Sequence, residues 1–240
     1  MSAMGLDRED SVWFRESTSR KHIQYSVSEY LREEEGAQVQ QVVQQKLQQY
    51  REGSIIVYCQ SKRLCEELAE LLVCSRYFSE ADSWADKQRV IQELKQGRVR
   101  VVVAINALGL GIDIANIRVV INLGVRRRIR NFAQESGRAG RDGQPSESIT
   151  LRSFQQNGTR RWLERPLTPS RPRWEFVDSK RWKRIIVSSD MDGRWNRLGC
   201  EPGDRRCDVC MGRGKEKAKA VVRWSVIRYS TGRECFSQAR

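Results

Sequence analysis

The 240-residue chain lacks an apolar run of about 18 residues, so nothing in it reads as a membrane span. Met1 to Asp10 lacks the apolar core of a secretory signal. There is one histidine, His22, far in sequence from the clustered cysteines, and it reads as an ordinary surface residue rather than a metal ligand. No Gly-x-x-x-x-Gly-Lys-Ser/Thr cradle is present to wrap a polyphosphate in backbone amides. Gly212-Arg213-Gly214-Lys215-Glu216 is too short, lacks the hydroxyl residue and follows no strand. An Asp-Glu-Ala-His or Asp-Glu-Ala-Asp box, which would hold magnesium, is missing as well. There is no internal repeat.

Acidic residues are outnumbered. Forty-four Lys and Arg against 30 Asp and Glu leave a formal net charge of +14, which favours a polyanionic partner, nucleic acid first. The arginines cluster at 126–130, 138–141, 160–165 and 181–184. Seven cysteines, an odd number without a secretory signal, point to a reducing compartment. Cys59, Cys65 and Cys74 sit in apolar segments and read as core thiols. Cys200, Cys207 and Cys210 form a knuckle with one extra thiol, and Cys235 stands apart.

Hydrophobic periodicity alternates between strand and helix. Strands are expected at Ile23–Tyr30, Ser54–Tyr58, Tyr77–Phe78, Val101–Ile105, 117–122 and 147–151. Helices are expected at Glu33–Tyr50, at Ser61–Val73 with Ser61 as N-cap, and at Ser83–Gln96 with Trp84, Val90, Ile91 and Leu94 facing inward. Another runs through Ile129, Phe132 and Ala133, and one more is expected at Arg173–Val187. Such alternation predicts an α/β fold, a parallel sheet covered on both faces, with ligands in loops beyond the carboxyl ends of the strands.

Three stretches carry chemistry. Gln134-Glu135-Ser136-Gly137-Arg138-Ala139-Gly140-Arg141 places two guanidiniums three residues apart, on one face if the turn is helical, where they could fork onto phosphate. Ala104-Ile105-Asn106-Ala107-Leu108-Gly109-Leu110-Gly111-Ile112-Asp113 is a buried strand running into a glycine loop with one acid; it lacks the third glycine of a dinucleotide fingerprint. Ser54 to Lys62 is a buried strand ending in a hydroxyl and a cation.

In this order and spacing the three resemble motifs VI, V and IV of the second RecA-like lobe of superfamily 2 helicases, and among these the RecQ family of DNA helicases, particularly its fungal members. The resemblance covers residues 12 to 211. It implies a RecA-like sheet over 21–154 and a zinc-binding remnant at 176–212; composition alone makes the polar 1–20 flexible, the Arg-, Pro- and Thr-rich 155–175 a linker and 213–240 a basic tail. Arg138 and Arg141 would face the γ-phosphate of ATP, with Gln134, Gly111 and Asp113 beside the nucleotide. Ser61, Lys62, Arg63, Asn106 and Ala107 would touch DNA. ATP and magnesium would be held mainly by a separate first lobe, and the 240 residues alone are expected neither to hydrolyse ATP nor to unwind DNA. The family works in the 3′–5′ direction, and a nuclear location is implied. Cys200, Cys207 and Cys210 would form part of a zinc site whose fourth cysteine falls where this chain has Trp182. The chain departs from the family pattern with Ile105 for Thr, Asn122 for His and Arg126 for Pro. A competing reading is a non-catalytic DNA-binding or regulatory module. An RNA helicase relative is disfavoured by the arginine motif and the cysteine knuckle.

Overall fold

A computed structural model describes residues 17–77, 83–105, 113–124, 129–157, 159–162, 183–194, 196–213, 224–228 and 234–238; for 155–157, 159–162, 213 and the last two segments it describes the backbone alone. The strands are β1 (Ile23–Leu31), β2 (Ser54–Cys59), β3 (Ser75–Tyr77), β4 (Val101–Ile105), β5 (Ile117–Leu123), β6 (Ser146–Asn157) and β7 (Thr159–Trp162). They form one sheet in the order β1-β6-β5-β2-β4-β3, with β7 added against β6. Every pair is parallel except β6 with β7.

The helices are α1 (Glu35–Gln49, after a 3-10 turn at Arg32–Glu34), α2 (Lys62–Leu71), α3 (Trp84–Lys95), α4 (Ile129–Ser136), α5 (Lys183–Asp192) and α6 (Asp208–Arg213). The period of two along β2 divides the core. Ile56 and Tyr58 point to one layer with Val90, Ile91 and Leu94 of α3, Phe132 of α4 and Ile186 of α5. Ile55, Val57 and Cys59 point to the other, with Val39 and Val43 of α1 and Cys65 and Leu68 of α2. Both faces are thus covered, which a parallel sheet requires because its strands carry apolar residues on each side.

The other predicted elements stand to within a few residues, but of the helix expected at Arg173–Val187 residues 173–182 lie outside the described residues, and the helix observed runs from Lys183 to Asp192. Ser61 caps α2, its Oγ accepting from Leu64 N at 3.3 Å. Trp84, expected to face inward, is 76% exposed: as the first residue of α3 it projects past the sheet, and only from Val90 onward does the helix lie over strands. The strand expected at 147–151 runs to Asn157 and folds back through β7, so the part of the expected linker over 155–162 is a hairpin apart from residue 158. Two further strands, Trp224–Arg228 and Glu234–Gln238, pair in the expected tail. Ser17–Arg20 is not frayed: the carboxylate of Asp192 accepts from Thr18 N at 3.1 Å, and Ser19 is buried. Phe78, Asn106, Ala107, Gly111, Arg126 and Trp182 lie outside the described residues.

Lys183 and Arg184, within the basic cluster at 181–184, are buried at the start of α5. Arg184 donates to the carbonyls of Arg20 at 2.7 Å, Lys21 at 3.0 Å, Arg205 at 3.2 Å and Ile23, and sits over the Tyr25 ring at 5.1 Å from its centroid. Five donors in a planar fork suit a cluster of carbonyls that an ammonium could not satisfy. The arginine ties α5 to the entry of β1.

Candidate functional site

Because the strands run parallel, the sheet has an amino edge and a carboxyl edge, and the candidate residues divide between them. Motif IV lies at the carboxyl edge. β2 ends at Cys59, and Ser61, Lys62 and Arg63 follow directly at the start of α2. All three are exposed. The Ser61 oxygen accepts from the helix amide and keeps its own proton to donate. Arg63 is held by Glu67 at 2.7 Å in an i,i+4 pair open to solvent.

Motif VI lies at the opposite edge. α4 carries the chain back from the carboxyl side, and the glycine-arginine segment follows its last turn. Gly137 N donates to Ala133 O at 2.8 Å and Arg138 N to Glu135 O at 3.1 Å, winding up the helix end. Gly140 N then donates to the carbonyl of Ile117, the first residue of β5, at 2.8 Å. Gly140 has φ +60, and a Cβ there would stand 2.6 Å from both His22 Cδ2 and Ser146 Oγ. Only glycine lets the backbone pass this close to the first residues of β1 and β6. The arginine pair therefore sits at the amino edge, not beyond the carboxyl ends as the general rule for such sheets predicts. The reason is topological: the helix between β5 and β6 must return the chain to the start of a parallel strand.

The two arginines do not share a helical face. Arg138 is 4% exposed, its backbone tucked beneath the turn, whereas Arg141 lies on the surface. Arg141 Nη1 donates to Asp113 Oδ1 at 2.8 Å, and that hydrogen bond holds the Asp113 carboxyl below its usual range. Asp113 thus meets one of the two motif VI arginines. Gln134 is exposed on α4. Next to the turn, Arg118 forks onto the Asp142 carboxylate, with Nη1 to Oδ1 at 3.0 Å, and also donates to Ser146 Oγ at 3.2 Å. This pair depresses Asp142 in the same direction.

His22 belongs to this edge. Its ring packs against Gly140, its carbonyl accepts from Ser146 N at 3.0 Å, and burial, then the charge of Arg20, pushes its pKa below 6.5. It is a packed support of the arginine turn rather than an ordinary surface residue. Its place at the entry of the first strand was the one signal available in the sequence.

Among the described residues one group of cysteines is able to gather on a metal: Cys200, Cys207 and Cys210, with sulfurs within 4.8 Å of one another. Cys207 is buried, at the start of α6, and the other two are partly so. Cys207 N donates to Cys200 Sγ at 3.4 Å. The thiol hydrogen bond between the pair pushes Cys207 up and Cys200 down. Asp208, a conceivable fourth ligand, already accepts from Val27 N at 2.8 Å and Val209 N at 2.7 Å. Zinc takes four ligands, so the described set fits it in part.

Residues 17–143 match the family described as helicase conserved C-terminal domain. The chain is 31% identical over 173 residues to the ATP-dependent DNA helicase RecQ of Haemophilus influenzae, across 65% of this chain and 27% of that protein. It is 27% identical over 212 residues to a putative ATP-dependent DNA helicase Q1 of Caenorhabditis elegans, across 83% of this chain and 32% of that one. It therefore spans about a quarter to a third of the length of these curated relatives. The fold is shared with the yeast DEAD-box splicing factor Prp28, with a TM-score of 0.50 and 20% identity over 56% of this chain and 30% of that one. With a RecA-like parallel sheet, the glycine-arginine turn closing onto its amino edge and the Ser61–Arg63 segment at its carboxyl edge, the chain belongs to the helicase conserved C-terminal domain family and is similar to that part of RecQ DNA helicases.

Proposed function

We propose that this chain acts as the second motor lobe of an ATP-dependent 3′–5′ DNA helicase, with nucleotide at its amino edge and the DNA backbone at its carboxyl edge. The observation that carries the reading is the motif VI turn. Gly140 anchors it to β5, and Asp113 holds Arg141 at the surface. A guanidinium ordered in this way needs little reorganisation to meet a developing phosphate charge. Arg141 serves as the presented cation. Arg138 lies behind it, and Gln134 lines the approach. Ser61, Lys62 and Arg63 position the DNA by phosphate contacts, which carry no sequence information. The helicase resemblance adds Asn106 and Ala107 to the DNA contacts and Gly111 to the nucleotide contacts.

Bound ATP with magnesium supplies the phosphoanhydride. The 240 residues contain neither a phosphate cradle nor an acidic box, so a separate first lobe holds that group. The test is a coupled ATPase assay with single-stranded DNA. The pure chain is expected to show no turnover, and a separately expressed first lobe is expected to restore it. Robust turnover by the pure chain overturns the division of labour between lobes. Work on DNA in the nucleus is part of the same reading, and exclusion of the tagged chain from nuclei counts against it.

Cys200, Cys207 and Cys210 would hold zinc weakly, through three thiolates, because the sequence has Trp182 near where the family has its fourth cysteine. Elemental analysis is expected to find less than one zinc per chain, to find it lost in Cys207→Ser, and to find tighter retention in Trp182→Cys. Stoichiometric zinc that survives Cys207→Ser contradicts this assignment.

A further inference from the structure

Trp84 is the one aromatic side chain among the described residues left largely in solvent, at 76% exposure. It opens α3, which follows β3, so it stands at the carboxyl edge of the sheet. β4 alone separates β3 from β2, so Trp84 and the Ser61–Arg63 segment share that edge from opposite faces of the sheet, α3 packing on the layer of Ile56 and Tyr58 and α2 on the layer of Ile55 and Val57. The surroundings of Trp84 are fixed. Ser83 Oγ accepts from Asp86 N at 3.1 Å and donates to Asp86 Oδ2 at 2.7 Å, and Arg89 bonds the other oxygen of that carboxylate at 3.3 Å. Asp86, one of three acids within four residues of Trp84 with Glu80 and Asp82, is thus bonded back onto its own helix and countered by Arg89. A large aromatic in water on a strongly basic chain, along an edge that also presents Lys62 and Arg63, lacks a packing reason.

We propose that Trp84 is a stacking platform for an unpaired base of single-stranded DNA. It would grip the strand by its base while Ser61, Lys62 and Arg63 hold the phosphates. The inference rests on the reading of the carboxyl edge as the DNA side and adds a contact class to it. Phosphate contacts hold duplex and single strand alike, whereas an exposed indole reaches only a base that is out of the double helix. Stacking tolerates any sequence, since every base has a π-face.

The experiment measures affinity of the full chain for fluorescent oligo-dT, for an abasic strand of equal length and for blunt duplex, across a salt series. Trp84→Ala is expected to weaken oligo-dT binding about 5- to 150-fold, the equivalent of about 1–3 kcal/mol per stacked base. It is expected to leave the salt dependence, the abasic strand and the duplex unchanged. Trp84→Phe is expected to retain most of the oligo-dT affinity. Lys62→Ala is expected to act on all three ligands and to reduce the salt slope by about 0.7 on the single strands. Equal oligo-dT affinity in wild type and Trp84→Ala overturns the proposal, as does an equal loss on the abasic strand. Unchanged DNA binding with weaker association to a first lobe reassigns Trp84 to a protein contact. If the wild type binds none of the three ligands, the DNA reading of the edge falls, and the stacking role with it.

Discussion

Gly140 is the residue on which the arginine turn depends most. An alanine there would combine a left-handed φ with contacts of 2.6 Å to His22 and Ser146. Gly140→Ala is expected to cost roughly 2–4 kcal/mol, read by urea denaturation. Gly143 is the internal control. Its φ is +77, but nothing lies within 4 Å of its Cβ position, so Gly143→Ala should cost only about 1 kcal/mol. Equal effects at the two positions would mean that the close packing around Gly140 is not what constrains the turn. His22 gives the same region a pH signature. Its folded pKa is lowered, so the unfolded chain takes up that proton first as the pH falls. The stability that neutral His22 contributes is complete above about pH 6.5. It declines through the interval below that value and levels off once the folded ring protonates. Asp113 and Asp142 act in a separate, more acidic window, because their depressed values hold stability until the pH falls below the ordinary carboxylate range. Melting temperatures between about pH 7 and about pH 5.5 should fall in the wild type and flatten in His22→Gln. A parallel pair of curves would remove His22 from this account.

The elements were mostly legible from the order of residues, and the exceptions share a cause. β2, β4 and β5 are short apolar runs between turn signals, and they form as read because burial on both faces leaves no competing structure. Ser61 and Ser83 mark helix starts through a local hydrogen bond, which sequence reports directly. Trp84 was misplaced because a period of 3.6 gives the face of a helix but not how far the helix overhangs its sheet. The motif VI arginines were placed on one helical face because spacing cannot show that α4 ends at Ser136 and that the chain then turns at Gly140. The burial of Arg184 could not be read from the 181–184 cluster, because a cation surrounded by carbonyls is a long-range fact, and its partners Arg20 to Ile23 lie over 160 residues away. Removing it tests the tie between α5 and β1. Arg184→Ala should cost about 3 kcal/mol or more, since several buried carbonyls lose a shared donor. Arg184→Lys should recover only part, because an ammonium cannot reproduce the planar fork. A loss under about 0.5 kcal/mol, the range of ordinary surface substitutions, would show that the site is not the tie described.

At the scale of the molecule the sheet separates the two groups of residues to which the proposed function assigns nucleotide and DNA. Its strands put the Gly140 turn at one edge and the start of α2 at the other, roughly 20 Å apart along the seven residues of β5. A rigid sheet between the two sites allows a change at one to move the other as a body. Sequence motifs supplied the candidate residues, and parallel topology shows that the Gly140 turn and the Ser61–Arg63 segment lie on opposite edges. The most direct measurement uses the chain mixed with a first lobe and compares two substitutions. Arg141→Ala should lower ATP turnover by about 10³-fold or more while single-stranded DNA affinity holds. Lys62→Ala should weaken DNA affinity while turnover at saturating DNA stays near wild type. Loss of both activities with either substitution, or full turnover in Arg141→Ala, would contradict the assignment of nucleotide and DNA to opposite edges.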